Sequence, residues 1–451
     1  MRNDFDIAVI GGGVVGLAIL RRFAMSGLRC VLLERGADIL SGASKGNSAL
    51  LHTGFDAPTG SLELACMQAG YEEYLAIRDR LNLPLLESAA LVVAWTAEEL
   101  AKLPEIVAKA HRNGVRDVEE IGRDELRKRE PHLSEAALGA VLVPREHIID
   151  PWSAPLAYAH QALAHGAEIR RNSEVTSGAY DGESWQLATA AGNLRARVTV
   201  NAAGNFGDLV EAIARPSPFT ITPRRGQFVV FDKPAATLAK AIILPVPTER
   251  TKGVVLFRTI FGNLAIGPTA EDVDERDVAA CDQPTLERLR ARAIEMVPEL
   301  SGIGVTAIYA GLRPASERKD YIIEALPTQN WITVGGIRST GLTAALGIAR
   351  HVAKLYEETF DSLPKAPDPI WTPAPNLAEH LPRPYMDGGE VVCHCELVTR
   401  QEIQAALSGA LPAGDMNGLK RRTRATMGRC QGFYCSANVA ALYREAVDAR
   451  S

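Results

Sequence analysis

Residues 5–36, "FDIAVIGGGVVGLAILRRFAMSGLRCVLLERG", constrain the fold more than any other stretch of this 451-residue chain. The run Ile7–Ile10 has strand character, and the 12 or so residues before Ser26 have helical character. Between them Gly11, Gly13 and Gly16 stand in GxGxxG spacing. A second strand, Cys30–Leu33, ends at Glu34. Glycines at those positions permit a tight turn, close approach of backbone to a pyrophosphate, and close contact of helix with strand. The unpaired N–H groups of the helix start then face the phosphates. Glu34 is placed to accept both ribose hydroxyls and to repel a 2′-phosphate. The order strand, glycine turn, helix, strand, acid predicts a parallel α/β sheet binding a dinucleotide. NAD and FAD fit it equally.

The remaining composition narrows the class. Hydrophobic residues make up 47% and charged residues 23%, as in ordinary globular proteins, and the length suits two or three domains. A net charge of −5 gives no reason to expect nucleic acid as a partner. No apolar run is long enough for a spanning helix, and the start of the chain, with Asp4 and Asp6, is unlike a secretory signal. The expected compartment is therefore cytoplasmic and reducing, with peripheral contact at the inner membrane face left open. Cys30, Cys66 and Cys281 lie among apolar neighbours and are expected in the core.

Three further segments bear on the cofactor. "SGASKGNSALLHTG" (41–54) follows the acid, "ARVTVNAAGNFGDLV" (196–210) is a strand running into small residues, and "WITVGGIRSTGLTAALGIAR" (331–350) is a strand, a glycine turn and a helix. No second GxGxxG in the same context follows. With "PRRGQ" (223–227) and "GLRP" (311–314), these segments resemble the D-amino-acid-oxidase-type FAD oxidoreductases from Ile7 to about Glu358, in particular glycerol-3-phosphate and L-2-hydroxyglutarate dehydrogenases. The resemblance implies a discontinuous Rossmann-type FAD domain (1–80, 145–215 and 325–361) with an inserted mixed-sheet substrate domain (81–144 and 216–324). It also implies flavin contacts from Arg35, Ser44, Asn47, Ser48, Ala203, Gly204, Gly336, Gly341, Leu342 and Thr343, beside the glycines and Glu34. The helix start near Gly341 could stabilise negative charge on a reduced flavin.

The end of the chain is different. Between Ser362 and Gly389 fall seven of the 26 prolines, which predicts an extended, stiff linker. Beyond it Cys393 and Cys395 form a CxC pair and Cys430 and Cys435 a CxxxxC pair. In a reducing compartment such pairs favour metal or redox chemistry over disulfides. Four thiolates suit either zinc or an iron–sulfur cluster. Thr399 is a plausible helix N-cap, and helical spacing on either side of "MGRCQGFYC" predicts a small helical domain over 390–451. Together with "CELVTR" and "RRTR", the spacing resembles the bacterioferritin-associated-ferredoxin-type [2Fe–2S] domain and implies such a cluster. Lys420, Arg421, Arg422, Arg424 and Arg429 are expected to offset the cluster's negative charge or to form a docking face.

His52 is a candidate base for the hydroxyl of a substrate whose hydride goes to flavin, or else a flavin contact. Arg313 and Arg338 are candidates for holding a substrate carboxylate or phosphate, with Tyr321 and Arg258 as weaker ones. Asp56 stands where the glycerol-3-phosphate enzymes carry arginine, which implies that glycerol 3-phosphate is a poor substrate. The stretch Leu142–Trp152, "LVPREHIIDPW", suggests no chemistry. The expected activity is an FAD- and [2Fe–2S]-dependent dehydrogenase acting on the CH–OH of a small anionic metabolite (a 2-hydroxy acid such as L-2-hydroxyglutarate, or glycerol 3-phosphate), electrons leaving through the cluster to a quinone or a redox partner protein. Oxidation of a C–N bond, or service as the electron-transfer subunit of a heteromeric complex, are the alternatives.

Overall fold

The computed structural model describes residues 4–247, 253–365, 367–380 and 389–449. Strand Asp4–Ile10 runs parallel to Cys30–Leu33 on one side and to Leu194–Asn201 on the other. Glu168–Arg170 extends the sheet beyond Cys30–Leu33. The second half of Leu194–Asn201 pairs with Trp331–Gly335, and Ile322–Leu326 returns antiparallel outside that strand. The first half pairs instead with the meander Val175–Tyr180 and Trp185–Thr189. Ile7 and Val9 belong to one buried cluster, Ala8 and Ile10 to another, so the strand is covered on both faces. That explains its continuous apolar run. Helices Val14–Met25, Leu62–Leu81, Ser153–Ala164 and Gly341–Thr359 cover one face through residues such as Leu17, Phe23, Tyr158 and Val352.

A second, nine-stranded sheet takes Ala90–Ala94, Glu119–Gly122 and Gly139–Val143 from one section of the chain and six strands between Ile221 and Ser316 from another. It is mixed, since Ile242–Pro245 runs parallel to Ala90–Ala94. Its longest pairing, Ile221–Phe231 against Val305–Ser316, sets Arg224 opposite Arg313 and Gly226 opposite Gly311. The expected boundary at 324 cuts strand Ile322–Leu326. That strand belongs to the first sheet, because its hairpin partner is Trp331–Gly335. Cys281 also departs from expectation: it is partly exposed in the loop before helix Gln283–Met296, whereas Cys30 and Cys66 are buried.

The described part of the proline-rich stretch is a strap rather than a free spacer. Ile370 accepts from Gln161 at 2.7 Å and donates to His165 at 2.9 Å, and Ala374 exchanges hydrogen bonds with Leu81 and Asn82. Leu363, Trp371 and Ala374 join the first domain's core. Residues 381–388 of the expected linker lie outside the described residues.

The tail contains a short hairpin, Val391–Cys393 with Val398–Thr399, and helices Arg400–Ala406, Met416–Thr423 and Ser436–Asp448. Thr399 caps the first helix in a reciprocal capping box with Glu402. Val392, Ile403, Leu419 and Val439 form a core of its own, while Leu411 is buried in the core of the first domain. Four cations of the basic run are engaged by carboxylates and a carbonyl. Arg422 forks onto buried Asp38 at 2.5 and 3.0 Å, and Arg421 donates to the Ile39 carbonyl at 2.9 Å. Arg424 is held by Glu396 at 2.9 Å and lies 3.7 Å over the Phe261 ring, and Arg429 pairs with Asp232 at 2.8 Å. A guanidinium within reach of a buried carboxylate is held there because either charge alone would be costly to bury.

Replacing Arg422 with methionine should therefore leave buried Asp38, among the described residues, with only the longer ion pair to Arg171, 3.7 Å away, at a cost of about 3 kcal/mol. Urea unfolding followed by tail-specific proteolysis should detect earlier release of residues beyond 389. Adding Asp38→Asn to that variant should restore much of the loss.

Candidate functional site

A cavity of about 940 Å³ opens at the carboxyl ends of the parallel strands Asp4–Ile10, Cys30–Leu33 and Leu194–Asn201. Ligands of open α/β sheets bind at this edge. Gly11 turns the chain there with φ +111°, and a Cβ on it would stand 2.5 Å from the Ala202 carbonyl oxygen. Position 13 is different: a Cβ would meet only the Ser44 hydroxyl, at 3.3 Å, so the space in front of it is left for a ligand. Gly13 offers no side chain to cap helix Val14–Met25, and the Val14 N–H is taken by Ser44 Oγ at 3.0 Å. Asn47 holds the Ser44 carbonyl in turn.

Glu34 lies at the second strand's end, accepting Gly12 N–H and Gly36 N–H at 2.7 Å each. One lone pair on each oxygen stays available for a diol. Arg35 lies 3.8 Å over the Phe206 ring and pairs with Asp277, closing that end of the cavity. Ser48, Ala203, Gly204, Gly341 and Leu342 line the walls as expected. The start of helix Gly341–Thr359 has no side-chain cap and faces the same space. An elongated cavity with two helix starts, a diol-accepting carboxylate and an open glycine fits FAD.

Other expected residues lie elsewhere. His52, Gly336 and Thr343 are absent from the lining among the described residues. Thr343 is buried, accepting His52 N–H and donating to the Leu50 carbonyl, both at 3.1 Å, so it anchors the backbone of His52. Gly336, at φ +65°, makes the turn after Trp331–Gly335. Tyr321 is buried on Thr340 at 2.6 Å, and burial carries its phenol well above the ordinary range. Arg258, on strand Val255–Arg258, is also outside the lining, with its Nε buried and without an acceptor among the described residues.

The two cavity arginines are unequal. Arg313 donates to the carbonyls of Arg224, Arg225 and Thr269, so most of its fork is used within the protein. Burial, and then Arg224, lower its pKa to about 10 against the pull of Asp272. Arg338 also lines the cavity, at φ +39°, and its Nε and Nη2 have no hydrogen-bond acceptor among the described residues. Its nearest acid is Glu63, 4.0 Å away. Of the two, Arg338 has donors to spare for a bound anion.

One residue the sequence reading passed over has chemical weight. Glu146, in the stretch Leu142–Trp152, accepts from His52 Nδ1 at 2.7 Å and from Thr53 N–H and Oγ at 2.6 and 2.8 Å. Flanked by Arg145 and His147, Glu146 carried no local signal of burial, and a separation of 94 positions hid its partner.

In the tail the thiols approach as two pairs, Cys395 with Cys430 and Cys393 with Cys435, each within side-chain hydrogen-bonding reach. The N–H of Tyr434, then the Cys395 thiol and the N–H groups of Gly432 and Phe433, lower the Cys430 pKa. Burial, then Cys393, pushes Cys435 up to about 12. Among the described residues no group of three or more acids, histidines and cysteines surrounds a single metal position. Two pairs suit two irons, each taking two thiolates, better than one zinc. Backbone N–H groups aimed at a sulfur also suit an anionic cluster.

The comparisons with known proteins agree with this geometry. Glycerol 3-phosphate dehydrogenase of Caloramator mitchellensis is 30% identical over 445 residues, spanning 96% of this chain and 93% of that protein. L-2-hydroxyglutarate dehydrogenase of Indibacter alkaliphilus is 27% identical over 59% of this chain and 68% of its own length. Among solved structures, dithionite-reduced L-α-glycerophosphate oxidase from Mycoplasma pneumoniae with FAD bound superposes with a TM-score of 0.75 at 26% identity, over 82% of this chain and 97% of that one. Residues 391–445 match the BFD-like [2Fe-2S] binding domain, so the cofactors are FAD and a [2Fe–2S] cluster. Residues 6–355 match the FAD dependent oxidoreductase family, and to that family this chain belongs.

Proposed function

We propose that this chain is a dehydrogenase oxidising the secondary alcohol of glycerol 3-phosphate, with its tail as the outlet for electrons. The match to a glycerol 3-phosphate dehydrogenase along nearly the whole of both chains, tail included, carries this reading. Bound FAD supplies a two-electron acceptor for hydride, and the cluster a one-electron outlet. Gly11, Gly13, Gly16 and Glu34 hold the dinucleotide, with the helix start at Val14 toward its phosphates. Arg338 binds the substrate's anionic group through its spare donors, and Arg313 adds positive charge while bracing strand Val305–Ser316. His52 takes the hydroxyl proton. Cys393, Cys395, Cys430 and Cys435 hold the cluster. Held there, the cluster would supply single electrons to a quinone or a redox protein, in a reducing compartment. Among the described residues no helix is long and apolar enough to cross a membrane.

Asp56, standing where the glycerol-3-phosphate enzymes carry arginine, is the feature that weighs against this substrate. Its carbonyl accepts from Lys109 Nζ at 2.7 Å, and the residue is outside the cavity lining.

In anaerobic titration, glycerol 3-phosphate should bleach the flavin at far lower concentration than L-2-hydroxyglutarate, and amino acids should leave it oxidised. The reverse order for the two anions would remove the substrate assignment. Gly13→Val should give folded protein without flavin, read from the absorbance spectrum and circular dichroism, because only the ligand needs that space. Cys430→Ser should lose iron and acid-labile sulfide yet keep FAD. Its flavin should still be reduced in a single turnover, while steady-state turnover with a one-electron acceptor falls. Stoichiometric zinc without sulfide in the wild type would sink the cluster's role.

A further inference from the structure

The Glu146 carboxylate is 1% exposed and its three donors come from two neighbouring residues, His52 and Thr53. A carboxylate only accepts, so neutral His52 is the tautomer with its proton on Nδ1 and the ring's basic nitrogen is Nε2. The geometry points to Glu146 as a positioning residue that fixes the tautomer and ring orientation of His52 and thereby makes it a base toward the substrate hydroxyl. This rests on the reading of His52 as the base. In the step it serves, the substrate O–H bond breaks and its proton forms the new N–H bond at Nε2. The C–H bond breaks with its electron pair, which leaves as hydride to the two-electron acceptor already named. The resulting imidazolium then has the Glu146 carboxylate against Nδ1–H. Tyr71, Arg145 and His147 also face Glu146, and Thr343 Oγ fixes the His52 backbone from the other side.

Glu146→Gln gives this idea a sharp test. Two donors of Thr53 claim the single amide oxygen, which turns the amide NH₂ toward His52 Nδ1. That nitrogen must then accept, and the proton of neutral His52 moves to Nε2. The imidazole still hydrogen-bonds the substrate but is no longer a base at that edge, the effect of a wrong tautomer in a hydrolase triad.

The experiment combines ¹⁵N NMR of histidine-labelled holoenzyme with stopped-flow reduction of the flavin by glycerol 3-phosphate. In the wild type the His52 signals, assigned by their loss in His52→Asn, should report the Nδ1–H tautomer. In Glu146→Gln they should report Nε2–H, with flavin reduction slowed by roughly 10²–10⁴-fold and the substrate concentration for half-maximal rate little changed. Adding His52→Asn to Glu146→Gln should slow reduction no further. An Nε2–H tautomer in the wild type would overturn the proposal even if the variant failed to fold, and so would a Glu146→Gln enzyme that reduces flavin at the wild-type rate. A wild-type rate in His52→Asn would instead remove the base role of His52, leaving the tautomer result to stand on its own.

Discussion

A side chain at position 16 has nowhere to go, because its Cβ would overlap the Gly11 carbonyl oxygen. That close approach of helix Val14–Met25 to the end of strand Asp4–Ile10 is the constraint on which the rest of the cavity depends. It brings the helix start over the strand edge, so that its N–H groups point into the space where a pyrophosphate belongs. The same edge receives Glu34 from one neighbouring strand and Ala203 from the other. The second sheet also lines the space, through Gly226 and Gly311, and a Cβ at Gly311 would stand 2.4 Å from the Gly46 carbonyl oxygen, so its absence lets that strand come near.

The same device attaches the tail. A Cβ at Gly414 would overlap the Ala37 carbonyl, and one at Gly418 the Asp38 carboxylate. With both absent, Arg422 and the Gly414 N–H reach Asp38, which is fully buried by the contact. Asp38 is four residues beyond Glu34, so the segment that frames the dinucleotide on one side is held by the cysteine-bearing tail on the other. Lys233–Glu396 and Arg429–Asp232 tie the tail to the second domain as well.

Local patterns were the legible part of the sequence. The strand–glycine–helix–strand order around Gly11–Glu34, the two cysteine pairs and the Thr399 cap are short-range signals, and each depends on residues within a turn or two of one another. The FAD-oxidoreductase fold and both cofactors followed from them and from the resemblance they carried. What could not be read were pairings set by the fold alone. Arg421 and Arg422 looked like charges meant for the cluster, but their partners are about 380 positions away at Asp38 and Ile39. The proline-rich stretch looked like a spacer because proline opposes helix and sheet, yet extended backbone can still lie along a groove, as Ile370 and Ala374 do. Arg313 and Arg338 were indistinguishable as letters; only the carbonyls around the first separate them.

These attachments bear on how an oxidation in one domain could be drained by a cluster in another. A tail joined by a flexible tether would sample many distances from the cavity, and only a fraction of its conformations would be competent for transfer. Here the tail contacts the first domain through the buried Arg422–Asp38 pair and the second through the more exposed Lys233–Glu396 and Arg429–Asp232 pairs, and Leu411 enters the main core. The strap from Ser362 to His380 adds hydrogen bonds along the way. Ordering of this kind removes in advance the entropy that a mobile carrier would lose at each encounter. The buried charges in the tail therefore hold the cysteine-bearing domain in one place relative to the flavin cavity.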